Sequence, residues 1–322
     1  LSKNKIIKMK KTQKGILVFL VLLIFACSQE RLFPVSTESE DLSKVNFVDA
    51  KNTLVDLGPK SEKLTIKNES QIPIITKNGN RIYLYQYHLA TLDGKSVSYP
   101  YDVEIIELGS LKDMILFDKP TVSYGKILST AGSFYLNATK DQNQLKISNL
   151  SYPSIQYRSN FGLDRDMNLF YGELNKENQF NWFPTKEIDT GGGPIQSREG
   201  LSISDDFYYI FPSTLGWINV DKFVNVATEK TTMVFKSLVP DLEKIALFVV
   251  LPEINSVMHV YSGKSFEIPV GMMANIMAVA KDTEGQYFSY IEKVKVKKGL
   301  TVEIKLSKTT EAELINALKV YE

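Results

Sequence analysis

In the stretch VSYPYDVEI, residues 97–105, Val97, Tyr99, Tyr101, Val103 and Ile105 alternate with Ser98, Pro100, Asp102 and Glu104. Side chains of an extended chain point to opposite faces in turn, so a period of two predicts a β-strand with one buried and one wet face. Pro100 has no N–H to give to a ladder, which predicts an edge position or a bulge. Upstream, Asp93-Gly94 has the chemistry of a tight hairpin turn, because glycine accepts a positive φ. Tyr83, Tyr85 and Tyr87 share one face of a further strand-like segment. Downstream, Phe134, Leu136 and Ala138 alternate with Tyr135 and Asn137, then Leu145 and Ile147 mark a strand, and Met167–Tyr171 another.

Residues 188–202, IDTGGGPIQSREGLS, interrupt this pattern. Three consecutive glycines before a proline hold no regular element, which predicts a domain boundary. A second strand series begins at Phe207 and is clearest after residue 231. Lys244–Leu251, KIALFVVL, is an apolar run suited to a strand covered on both faces. Ser262-Gly263 predicts a hairpin within Val257–Ile268, and Gly299 another, joining Val294 and Val296 to Val302, Ile304 and Leu306. Thr310 stands three residues before Glu313, the spacing of a capping box, and Leu314, Ala317, Leu318 and Tyr321 follow on one helical face. Strand and helix nowhere alternate. The expectation is a mostly β chain of two tandem antiparallel β-sandwich domains, ending in a short helix.

The N-terminal end carries a different signal. Lys3, Lys5, Lys8, Lys10, Lys11 and Lys14 precede Gly15–Ala26, GILVFLVLLIFA, twelve residues without a charge. A bilayer-spanning helix needs about 20 apolar residues. The run is shorter, and with its basic flank it reads as the core of a cleaved signal peptide. Its end, Ile24-Phe25-Ala26-Cys27, resembles the lipobox of bacterial lipoproteins, with a bulkier residue than usual at Phe25. That resemblance implies cleavage between Ala26 and Cys27, and acylation of the Cys27 thiol and freed amine by long chains such as palmitate. Two buried acyl chains anchor a protein stably where one is marginal. Ser28, in place of the aspartate that retains such proteins at the inner membrane, implies the outer membrane, with the body periplasmic or surface-exposed. Leu1 is not Met, so the start is either an alternative codon or Met9.

Tyr101–Met114 (YDVEIIELGSLKDM), Lys119-Pro120-Thr121 and Ile127–Thr139 (ILSTAGSFYLNAT) resemble the ZU5-like β-sandwich of uncharacterised Gram-negative surface lipoproteins. Met167–Gly172 and Leu215–Phe223 are similar to the same proteins. A looser resemblance to an immunoglobulin-like or carboxypeptidase-regulatory-like module follows. The expected organisation is a signal peptide at 1–26 and a lipidated cysteine with a polar tether at 27–60. A ZU5-like sandwich at 61–187 and a glycine-rich linker with a bridging segment at 188–229 come next. The second sandwich occupies 230–308 and the terminal helix 309–322. An edge strand from Val45 is the alternative to the tether.

The 322 residues carry 38 basic and 37 acidic side chains. Cleavage would remove six lysines and no acid, leaving 32 against 37, a net charge near −5. Nucleic acid, which needs a basic patch to displace its counterions, is excluded as a partner. Cys27 is the only cysteine, so the mature body has no disulfide. His88 and His259 each read as strand residues without a neighbouring nucleophile motif, so no catalytic residue is assigned and no enzyme is expected. Asp164-Arg165-Asp166-Met167-Asn168 opens like a calcium loop, but Leu169 replaces the glycine of the sharp turn and Asn175 the bidentate glutamate. Charged turn residues are the preferred reading, and no metal or other cofactor is expected. Gly191-Gly192-Gly193 lacks the following Lys-Ser or Lys-Thr and the capped helix of a phosphate loop. Asp102 and Glu104 share a wet face without being singled out as a catalytic pair. Aromatics concentrate around the boundary at Trp182, Tyr208, Tyr209 and Trp217, either buried in an inter-domain seam or displayed as a binding surface. The expected role is a membrane-anchored envelope protein with a non-catalytic structural or protein-interaction function. Glycan binding through exposed aromatics near the junction is the alternative.

Overall fold

The second part of the alternating stretch forms β5 (Tyr101–Leu108), with Tyr101, Val103 and Ile105 buried and Asp102 exposed, while residues 97–100 lie outside any strand. The computed structural model describes residues 42–49, 53–149, 151–185, 200–237, 239 and 242–322. Ala26, Cys27 and the rest of the leader lie outside the described residues, as do Gly191–Gly193. β5 is antiparallel to both β1 (Glu62–Ile66) and β7 (Lys126–Lys140), and the sheet continues through β14 (Gly216–Phe223), β10 (Asn168–Leu174) and β11 (Phe180–Pro184). β4 (Leu89–Thr91), β6 (Val122–Ser123) and β8 (Asn143–Ile147) attach along β7 and each other. The edge position or bulge expected at Pro100 is thus not what occurs. Pro100 stands one residue outside the ladder, which begins at the Ile66–Tyr101 pair, so its missing N–H costs the sheet nothing.

A second sheet, β12 (Gly200–Ser204), β13 (Phe207–Phe211), β9 (Ser154–Tyr157), β3 (Arg81–Tyr83) and β2 (Ile74–Ile75), lies over the first. Val103, Ile105, Phe134 and Leu136 of the large sheet meet Ile82, Ile155, Tyr208 and Ile210 of the small one in a common core. The chain is therefore mostly β and built of antiparallel sheets, as its periodicity requires. Tyr83, Tyr85 and Tyr87 do not share one strand. The chain leaves β3 at Tyr83 and enters a 3₁₀ turn at Gln86–His88, which places His88 in a turn rather than a strand.

In the second half β17 (Ala246–Leu251) is buried at all six positions. Leu247, Val249 and Leu251 enter one core, and Ala246, Phe248 and Val250 another on the opposite face. It is flanked by β18 (Ser256–His259) and β20 (Met273–Lys281), and the sheet continues to β21 (Tyr287–Lys295) and β23 (Ser307–Thr309). Two short ladders supply residues to the first of these cores: β15 (Lys230–Thr231) with β19 (Ile268–Pro269), and β16 (Val234–Ser237) with β22 (Thr301–Ile304). Both hairpins expected here are corrected. The chain turns at Gly263, but β18 pairs with β17 and β19 with β15. It turns at Gly299, but β22 runs parallel to β16 instead of returning along β21. Val302 and Ile304 are buried and Thr301 and Glu303 exposed, so the alternation holds while the neighbour differs.

Helix α2 (Glu311–Leu318) starts as expected. Thr310 Oγ1 accepts from Glu313 N at 3.2 Å, and Thr310 N donates to Glu313 Oε2 at 2.8 Å. Leu314, Leu318 and Tyr321 pack on the outer face of β17 and β20 together with α1 (Leu111–Leu116), an earlier helix that the sequence analysis passed over. Ser110 caps α1 by accepting from Asp113 N at 3.1 Å. The two halves consequently share two apolar cores: Leu111, Met114 and Ile115 join one with Phe248 and Met277, and Val122 and Ile127 join the other with Val249 and Ile276. Thr121 N donates to Val257 O at 2.7 Å and Thr130 N to Asn255 O at 3.1 Å across this seam. The polar tether also needs revision. Leu42 and Phe47 are buried in the second unit's core and Leu54 in the seam, so much of 42–57 belongs to the body. No helix among the described residues is long and apolar enough to cross a membrane.

Candidate functional site

The seam opens into a cleft of about 600 Å³, bounded by the β10–β11 hairpin, the β6–β7 turn and the segment after β18. Each lip is fixed by local chemistry. In the β10–β11 turn the Asn175 side chain accepts from Glu177 N at 3.0 Å and from Gln179 N at 2.9 Å. The β6–β7 connection is two residues, Tyr124 and Gly125, with φ of +49° and +75°. Two successive positive φ values match the twist of adjacent strands, but a bulky side chain pays roughly 1–2 kcal/mol to adopt one. Asn181 Oδ1 holds this turn by accepting from Tyr124 N at 2.8 Å.

The result is an aromatic ring on display. Tyr124 is 68% exposed and meets Phe183 edge-on at 5.3 Å. Phe266, from the second unit, lies over Gly125, where a Cβ would stand 3.2 Å from the ring. Leu174 completes the rim at 61% exposure. Exposed apolar side chains from three separate segments thus converge on one opening, whereas scattered single ones would need no explanation.

Behind the rim, His259 on β18 places Nδ1 2.5 Å from Asp118 Oδ1, and its ring stacks on Tyr261 at 4.0 Å. Burial first, and then the Asp118 carboxylate, push the Tyr261 phenol far above its usual range. Lys119 lies 4.3 Å from the Phe180 ring and 4.9 Å from that of Trp217, and burial pulls its ammonium below the ordinary lysine value. Trp182 Nε1 donates to Pro120 O at 2.8 Å, and the ring packs on Phe180 at 4.9 Å. Gly172 is required beneath this group, because a Cβ there would collide with the rings of Phe180 and Trp182.

Of the aromatic residues singled out from sequence, Trp182 and Trp217 do come together at the junction, but Trp182 is wholly buried and Trp217 half-buried. Tyr208 is fully buried in the first core, its hydroxyl accepting from Asp164 N at 2.6 Å. Tyr209 is half-buried and accepts from Gln156 Nε2 at 3.1 Å, among the small-sheet strands. Neither Tyr208 nor Tyr209 lines the cleft. The residues that do, Tyr124, Phe183 and Phe266, were passed over, although Tyr124-Gly125 between two short apolar runs was a legible turn. No family model, curated protein or solved structure matches this chain. The site must therefore be read from its own chemistry.

Two other sequence candidates have plain positions. Asp164 and Asp166 face the ammonium of Lys222 at 2.6 Å and 3.9 Å, so a side chain already supplies the cation there. Far from the junction, the Tyr85 and Tyr87 rings stack at 5.2 Å and 6°, with Tyr87 54% exposed.

Proposed function

We propose that this chain is an envelope lipoprotein, anchored to the outer membrane by acyl groups on Cys27, whose body binds a partner protein without performing chemistry on it. The ZU5-like and immunoglobulin-like resemblances belong to this reading. The observation that carries it is Tyr124, held in a costly left-handed turn with its ring in solvent at the mouth of the cleft. Strained backbone of this kind persists where the surroundings impose it, and it clusters at binding sites. The occupant that fits is an apolar side chain of a partner. Asn175 and Asn181 are already committed to holding the lips, and Tyr124, Leu174, Phe183 and Phe266 give the opening its apolar surface, with Lys176, Glu177 and Gln179 as its polar edge.

A benzophenone side chain at position 124 should cross-link one discrete envelope protein, and Leu174→Asp should abolish the adduct. A diffuse or unchanged pattern would count against the site. Anchoring is tested separately, since Cys27→Ala should shift the protein out of the detergent phase or leave it unprocessed. Glycan binding is the second reading, favoured by the exposed rings of Tyr124 and Phe266. A glycan array bound through Tyr124 would promote it over the protein partner.

A further inference from the structure

The junction cleft is lined by the rings of Tyr124, Phe180, Phe183, Tyr261 and Phe266, drawn from the β6–β7 turn, β11 and the second unit. Tyr124 and Phe183 meet at 86° with centroids 5.3 Å apart, so they make a corner rather than a flat floor. Tyr124 is 68% exposed and Phe266 38%, so both keep ring surface in solvent. The face of an aromatic ring is its negative pole, and it attracts the positive edge of whatever packs on it.

β11 is the last strand of the large sheet, where an extended partner would ordinarily lengthen the sheet. The backbone forbids it here. Asn175 N donates to Gln179 O and Thr185 N to Leu169 O, so alternate residues from Gln179 turn their main-chain groups inward to β10. Phe180, Trp182 and Pro184 turn theirs outward. Trp182 is wholly buried, its carbonyl accepting from Asn181 Nδ2 at 3.0 Å, and Pro184 has no N–H. An added strand finds no continuous ladder. The polar edge of the cleft leans the same way. Tyr124, Lys176 and Gln179 carry donors, and Glu177 is the only carboxylate among the lining residues. The complement is a chain that offers carbonyl acceptors and few N–H groups.

We infer that the partner enters this cleft through a proline-rich segment in the polyproline II conformation. The inference rests on this cleft being where a partner protein binds. Such a segment has no internal hydrogen bonds, leaves its carbonyls free to accept, and needs no ladder. Each proline also removes an N–H that the donor-rich edge could not satisfy. The C–H groups of its ring beside the amide nitrogen are electron-poor and suit aromatic faces, and aromatic-lined grooves are a recurring receptor for this conformation. A chain whose φ is already fixed loses little backbone freedom on docking.

The test is fluorescence anisotropy of labelled decaproline titrated with the full chain. Saturation with a Kd below about 1 mM is expected. Tyr124→Asn removes the ring but keeps a residue that tolerates left-handed backbone, so it should fold and weaken binding by about tenfold or more. Phe266→Ala, on the opposite lip, should weaken it comparably, and it remains informative if Tyr124→Asn disturbs the turn. A labelled decapeptide of alternating serine and leucine, apolar but without proline, should bind at least about tenfold more weakly. Absence of decaproline saturation up to about 1 mM overturns the inference. Affinity unchanged in both variants overturns it too, as does equal binding of the leucine peptide. If the benzophenone adduct at position 124 still forms in those cases and still depends on Leu174, only the proline-rich occupant falls. If the adduct is absent as well, the partner site falls with it.

Discussion

His259 and Asp118, 141 residues apart in sequence, join the two halves of the molecule through a 2.5 Å contact between Nδ1 and Oδ1. Asp118 sits just past α1 with φ of +48°, and His259 ends β18 with its side chain 6% exposed. A hydrogen bond to a charged group is worth about 1.5–3 kcal/mol when little water competes for it. Asp118→Asn keeps a residue that tolerates the left-handed backbone, so the change isolates the charge. It should cost about 1–2 kcal/mol in chemical denaturation. A double-mutant cycle with His259→Gln should return a coupling of about 1–3 kcal/mol, whereas additivity within about 0.5 kcal/mol would show that the pair contributes nothing of its own.

The bulge in β7 depends on Gly132. The β7–β14 register slips between Val220 and Asp221, and Gly132 takes φ of +132° beside the Tyr157 ring. A Cβ there would collide with the Tyr157 hydroxyl, which donates to Ala131 O at 2.6 Å. Gly132→Ala should therefore destabilise by about 2–4 kcal/mol, combining left-handed strain with overpacking. Adding Tyr157→Phe to that variant should recover part of the loss in thermal unfolding. No recovery would place the cost in the backbone and in the ring carbon that phenylalanine retains, which a Cβ would meet at 2.7 Å.

How far the sequence carried depends on the range of the interaction. Period two in residues 97–105 and the apolar run at 244–251 report which face is buried, a local property, and strands formed over Tyr101–Leu108 and Ala246–Leu251. Which strand lies alongside is set by chain closure over long separations, and here the reading failed. Val302 and Ile304 alternate as a hairpin arm would, yet β22 pairs in parallel with β16, 67 positions earlier at Val234–Thr301. The site divides the same way. Trp182 and Trp217 marked the junction, because large aromatics collect where two apolar faces meet. Tyr124, Phe183 and Phe266 form the exposed rim only because a β6–β7 turn, a β10–β11 hairpin and a segment of the second unit converge. The helix α1 was legible, since Ser110 stands three residues before Asp113 and Leu111, Met114 and Ile115 follow at helical spacing.

His88 makes the fold sensitive to acid. Tyr85 N donates to His88 Nδ1 at 3.0 Å, which requires that nitrogen unprotonated, and burial lowers the imidazole from 6.5 to about 4. The unfolded chain then binds more protons than the native one between those values. Stability is fully present above pH 6.5 and is lost as pH falls towards about 4, by at most roughly 3 kcal/mol. His88→Asn should flatten the unfolding free energy across that window. A wild-type slope that persists unchanged in the variant would assign it to other groups.

Asp221 should act in the opposite direction. It is fully buried in the β7–β14 bulge, where Asn219 Nδ2 donates to Oδ2 at 2.6 Å while Oδ1 has no hydrogen-bond partner. Burial raises its carboxyl well above the ordinary 3.8, against the hydrogen bonds from Thr130 and Asn219. The native state thus keeps a proton that the unfolded chain releases above pH 3.8. The sign of the linkage follows: this contribution is complete in acid and is lost as pH rises towards the native value. Asp221→Asn is neutral at every pH and preserves the shape, so it should gain stability relative to wild type on going from about pH 4 to about pH 8. The difference between the two proteins, measured by urea denaturation at each pH, must grow with alkalinity. A constant difference would mean that Asp221 is ionised in the folded protein, and that a cation or water compensates it inside the bulge.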